Sequence, residues 1–104
     1  MTLRTTHRLK RALLKKVDSS YPQVVAVARR NLPRLRSTVS GAVEYAYLDN
    51  WENALGDKAT LRALIGDESD EGLSAWQVAP FAGVFSPRER WDILRRDGRG
   101  NEPV

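Results

Sequence analysis

The stretch that decides the fold runs from residue 37 to residue 55 and reads STVSGAVEYAYLDNWENAL. Val39, Val43, Tyr47, Trp51 and Leu55 recur every fourth residue, with Ala42, Ala46 and Ala54 beside them. That period belongs to an amphipathic helix with one apolar face, and Gly56 is placed as its stop. The spacing predicts one long central helix over 37–55. Upstream, Leu9, Leu13 and Val17 predict a first helix over about 6–17. Asp18, Ser19 and Ser20 then offer a break and a new cap, with Pro22 suited to the first turn of a second helix. This second helix should end near Asn31, because Pro33 disfavours helical geometry at Leu32.

Downstream of the central stretch, Asp57 is a cap for a short helix bearing Leu61, Leu64 and Ile65, closed by Gly66. Asp67, Glu68, Asp70 and Glu71 open another short helix with Leu73 and Trp76, at the end where the backbone dipole favours acids. Ser86-Pro87-Arg88-Glu89 is a capping box with proline at the first helical position, ahead of Trp91, Ile93 and Leu94. Between these helices, Ala79 to Phe85 reads as an apolar connection that sends aromatics into the core. No segment alternates with the period of a strand. The expected fold is therefore all-α: a compact single-domain bundle of five to six helices over residues 1–96, followed by a flexible tail over 97–104.

Composition narrows the function. The chain has 104 residues, no cysteine and a single histidine, His7. Disulfides, thiolate metal sites and iron–sulfur ligation are excluded, and no cofactor or metal is expected. No run approaches the roughly 20 apolar residues of a membrane span. The N-terminal segment lacks the apolar core of a secretory signal, so a cytoplasmic location is the expectation. Asp67, Ser69, Glu71 and Gly72 follow the opening of a calcium-loop template, but Val78 stands where its closing bidentate glutamate belongs. His7 stands alone in a basic terminal segment expected to be exposed, in solvent or against a nucleic-acid backbone, and Asp49 and Glu52 read as solvated carboxylates on one helix face. A non-enzymatic protein is expected.

The net charge of +4 conceals a strong polarity. Residues 1–36 carry ten Lys and Arg against one acid, Asp18, for a net of +9, whereas residues 37–104 net −5. Such asymmetry points to a polyanionic partner or to two complementary surfaces. Arginine outnumbers lysine thirteen to four, which suits bidentate recognition of phosphate or carboxylate.

Within this basic region, residues 27–43, VARRNLPRLRSTVSGAV, resemble the helix-turn-helix of lac-repressor-like bacterial regulators. There an Ala-Arg-Arg helix turns into a Ser-Thr-Val-Ser recognition helix. The resemblance implies a small bacterial or phage regulatory protein that binds nucleic acid, DNA foremost, through its basic N-terminal surface. Ser37, Thr38 and Ser40 would then stand at the start of a recognition helix and read bases. Lys10, Arg11, Lys15, Lys16, Arg29, Arg30, Arg34 and Arg36 are the candidate phosphate contacts. Segment 31–36 is longer than the family's turn and carries Leu32 and Pro33 where the family has glycine.

The alternative is a protein-protein interaction module (an antitoxin, inhibitor or assembly factor) whose charged surface meets an acidic protein partner. Trp76, on its acidic helix, is the expected interface anchor, while Trp51 and Trp91 are expected in the core. Self-association through the opposed halves, giving a homo-oligomer, is a further reading. Membrane-surface binding by the first helix ranks last, because its apolar face lacks aromatics.

Overall fold

The structure, a computed structural model, describes residues 3–101, with side chains described over 5–95. Its five helices are α1 (Leu3–Thr38), α2 (Ala42–Ala54), α3 (Lys58–Ile65), α4 (Asp70–Trp76) and α5 (Pro87–Asn101), and no strand occurs among the described residues. The all-α class is as expected. The long element, however, is α1 rather than the central helix.

The kink in α1 falls at Ser20, whose φ of −146° and ψ of 45° leave helical space. Pro22 explains it: a proline ring inside a helix collides with the carbonyl four residues back, here that of Asp18, unless the chain steps out. Pro22 thereby sits in the first turn of a second arm, as the sequence predicts. Both arms still face one core. Leu9, Leu13 and Val17 are buried before the kink, and Val24, Ala28 and Leu32 after it.

The expected end near Asn31 is not observed. The second arm passes through Pro33 and stops only at Thr38. An internal proline costs about 3 kcal/mol, and burial of Leu32 with partial burial of Leu35 and Val39 offsets it. The last turn is also well satisfied. Ser37 Oγ donates to the Arg34 carbonyl at 2.7 Å, and Thr38 Oγ1 donates to that of Leu35 at 3.0 Å. Tyr45 Oη donates to the Arg36 carbonyl at 2.9 Å.

Consequently α2 begins at Ala42, not at Ser37, with Gly41 as an extended cap. The regular fourth-residue stripe does not stay on one face, since each such step advances about 40° around an α-helix. Val43 is 62% exposed, and the buried set is Leu48, Trp51 and Ala54, continued by Leu55. Trp51 is the centre of the molecule. Its indole N–H donates to the Ala75 carbonyl at 2.9 Å, and its ring meets Trp76 and Phe81 edge-on at 6.5 and 5.2 Å.

Helix α3 starts where Asp57 accepts the Thr60 N–H at 3.3 Å, and α4 where Ser69 Oγ accepts that of Gly72 at 3.1 Å. Gly72 is required there, because a Cβ would lie 2.4 Å from the Asp67 carbonyl oxygen. The connection to α5 buries Pro80, Phe81 and Val84 and turns through Gly83 at φ +91°. Asn31 Nδ2 ties that connection to α1 by donating to the Pro80 and Ala82 carbonyls at 3.0 and 2.8 Å. The capping box of α5 is formed in both directions: Glu89 N–H to Ser86 Oγ at 3.1 Å, and Ser86 N–H to Glu89 Oε1 at 2.9 Å.

Helix α5 continues to Asn101, past Asp97, where composition predicts the folded part to end. Residues 102–104 lie outside the described residues. In the assembled fold α1 packs against α2, α3 and α5, while α2, α3 and α4 pack on one another. No described helix is long and apolar enough to cross a membrane.

Candidate nucleic-acid interface

The nine bases of residues 1–36 whose side chains are described meet different fates, and helical phase separates them. Lys10 lies on the buried face of α1 beside Leu9, only 3% exposed. Its ammonium donates to the Asp67 carbonyl at 3.1 Å and sits 5.4 Å from the centre of the Trp76 ring. Lys10 is therefore not a phosphate contact, contrary to the sequence reading: it pins the α3–α4 connection to α1 by a charge-assisted bond and a cation–π contact.

Three other groups are engaged internally. Arg36 bridges Asp49 at 2.9 Å and also Glu52. The Glu52 carboxylate, and Asp49 after it, raise the guanidinium above its ordinary value. Those two acids are exposed, as expected, yet both are engaged, and Arg36 ties α1 to α2 instead of facing a ligand. Lys16 reaches Glu89 at 3.0 Å and lies 5.9 Å from the centre of the Phe85 ring. The Ser86 N–H first, and Lys16 second, hold the Glu89 carboxyl below the usual range. His7, expected in solvent or on a phosphate, pairs its Nε2 with Glu68 at 2.8 Å.

The lone acid of the region is engaged in the same way: Asp18 accepts from Arg62 at 2.7 Å. Much of the polarity read from the sequence is therefore closed within the fold. Asp67, the opening residue of the calcium-like stretch, is occupied too. Its carboxylate accepts the Ser69 hydroxyl at 2.6 Å and the Ser69 N–H at 2.9 Å, which lowers its pKa. No group of three or more metal-ligating side chains occurs among the described residues.

What remains outward is a smaller and better-defined set. Arg11 and Lys15 on the first arm, and Arg29, Arg30 and Arg34 on the second, are exposed. Their side chains make no ion pair or hydrogen bond with another described residue. Arg30 and Arg34 are one turn apart, with Arg29 next to them, on the side of the arm opposite Ala28 and Leu32. Arg11 and Lys15 belong to a second feature. Together with Arg8, Lys16, Phe85 and Ile93 they line an open groove of about 460 Å³ where α5 crosses α1.

Ser37 and Thr38 close α1 through the back-bonds already described and do not open the next helix. The turn in this region is at 39–41, so the geometry differs from the one the helix-turn-helix resemblance implies. Ser40 is exposed and adjoins Gly41, the cap of α2.

Trp76 is partly exposed, whereas Trp91, expected in the core, is not buried. Trp76 is half-buried, its ring 6.4 Å from Phe81 and under Lys10, so it belongs to the core periphery. Trp91 is 59% exposed on α5. The sequence contains the signal for this, since Arg88, Trp91 and Arg95 fall on one helical face while Ile93 lies on the opposite one. No protein-family model matches the chain, and no curated protein or solved structure is significantly similar to it.

Proposed function

We propose that this chain is a small, non-enzymatic nucleic-acid-binding protein of the regulatory kind, with α1 as its phosphate-contacting element. One observation carries the reading: Arg11, Lys15, Arg29, Arg30 and Arg34 stand exposed without an acid partner among the described residues, while the chain's own carboxylates take up Lys16, Arg36 and His7. Exposed arginines on one helix are the electrostatic footprint of a phosphate backbone. The reading does not depend on base contacts by Ser37 or Thr38.

Fluorescence anisotropy of a labelled oligonucleotide tests it. The double variant R30E/R34E should lose at least about tenfold in affinity, and wild-type binding should weaken steeply between about 50 and 200 mM salt. Affinity that ignores both salt and the double variant would defeat the proposal.

An acidic protein partner is the second reading, and exposed Trp91 favours it. Tryptophan and arginine dominate binding energy at protein interfaces, and Arg88 and Arg95 flank this one on the exposed face of α5. Under this reading, Trp91→Ala abolishes capture of a single stoichiometric protein from nuclease-treated lysate. Under the first, the same variant leaves oligonucleotide binding through α1 intact.

A further inference from the structure

The groove where α5 crosses α1 has two unlike walls. Arg8, Arg11 and Lys15 form one, rising about 10 Å along the helix at 1.5 Å per residue. Phe85 and Ile93 form the other, with Ala12 between them and Ser19 and Ser20 at the kinked end. Its volume of about 460 Å³ is that of a small-ligand site. Among the described residues, the carboxylate engaged at its margin is Glu89, committed to Lys16 and to the Ser86 N–H. Arg11 and Lys15 therefore present uncompensated charge to whatever enters.

We propose that this groove holds one strand of single-stranded nucleic acid, with phosphates on Arg11 and Lys15 and bases against Phe85 and Ile93. The proposal rests on the nucleic-acid reading above and names the form of nucleic acid that this site takes. A cationic wall facing an apolar one is the combination that single-strand sites use, tracking the backbone with charge and covering unstacked bases with apolar surface. A duplex keeps its bases paired and stacked inside, so it touches the mouth of the groove with phosphates alone and leaves the Phe85–Ile93 wall uncovered. The outer face of the second arm, with Arg29, Arg30 and Arg34, has no such apolar wall and accepts phosphates from either form.

The test uses the full chain and three probes at one salt concentration: a labelled oligothymidine, a duplex of equal length and ADP as competitor. Wild type should bind the single strand at least about tenfold tighter than the duplex. R11E/K15E should abolish that preference, whereas R30E/R34E should weaken both forms and preserve it. Both pairs are exposed, so circular dichroism should report an unchanged fold. Equal or tighter duplex binding, or a preference that survives R11E/K15E, would overturn the groove assignment and leave the nucleic-acid reading standing. Displacement of the strand by ADP at comparable concentration would overturn it in favour of a free nucleotide. Failure of every oligonucleotide to bind would overturn both.

Discussion

The two arms of α1 carry the same kind of sequence, an apolar stripe at every fourth residue set among arginines and lysines, yet they use their charges differently. The first arm is covered on several sides. Lys10 meets the Asp67 carbonyl, Lys16 meets Glu89 of α5, and the Leu14 carbonyl accepts from Arg62 of α3 at 3.3 Å. Of its bases, Arg11 and Lys15 are left outward for a ligand. The second arm is covered along one face, and it leaves Arg29, Arg30 and Arg34 outward while Arg36 is clamped to α2. Neighbouring residues of like charge diverge because each step along a helix turns the side chain by about 100°. Lys10 and Arg11 are adjacent in sequence, and one is structural while the other faces the groove. A count of bases therefore overstates an interface. The phase of each base, and the acids folded against it, define the interface.

The largest effect that sharpens this comparison belongs to the buried stripe. Leu13→Ala removes a side chain that is essentially fully buried and should cost about 2–5 kcal/mol, measured by denaturant unfolding. Next comes the contrast between adjacent lysines and arginines. Lys10→Ala leaves the Asp67 carbonyl without its donor and should cost about 1–3 kcal/mol. At preserved fold, oligonucleotide affinity should be unchanged. Lys15→Ala should do the reverse, moving stability by no more than about 0.5 kcal/mol while weakening oligonucleotide binding. If Lys10→Ala weakened binding as much as Lys15→Ala at equal stability, the distinction between structural and outward bases would break.

Smaller again is the cap of α5. Ser86→Ala removes the acceptor of the Glu89 N–H and should cost about 1 kcal/mol. Hydrogen exchange should show the loss confined to α5, because among the described residues that helix packs against no helix but α1. The smallest effect is acid sensitivity. The carboxyl pKa values of Asp57, Asp67 and Glu89 are lowered, mainly by the Thr60 hydroxyl, the Ser69 hydroxyl and the Ser86 N–H respectively. A depressed folded-state value stabilises the fold above the ordinary carboxylate range, and that contribution is lost as the pH falls through the depressed values. The melting temperature should be level near neutrality and decline in acid, less so in Glu89→Gln.

The local punctuation of the fold was legible in the sequence. The break at Asp18–Ser20 with Pro22, the Asp57 cap and the Ser86–Glu89 box each depend on groups within a few residues of one another. The continuation of α1 through Pro33 was not legible, because a local cost is outweighed there by distant burial of Leu32. Val43 departs from the expected buried stripe for a geometric reason, since a strict fourth-residue repeat rotates off one face. Trp91, expected in the core, lies outward, and Arg88 and Arg95 share its face. Of the candidate site, the residue types were readable and their availability was not. The partners that remove Lys16 and Arg36 from the interface lie far along the chain, at Glu89 and at Asp49 and Glu52.

The central claim is that five bases of α1 face phosphate, and the salt dependence of oligonucleotide binding tests it most directly. Neutralisation of five phosphates on a single strand corresponds to a slope of about −3.5 in log affinity against log salt. Replacing Arg11, Lys15, Arg29, Arg30 and Arg34 by Gln should bring that slope close to zero while the protein stays folded. A flat wild-type slope, or one that survives the five substitutions, would contradict the account.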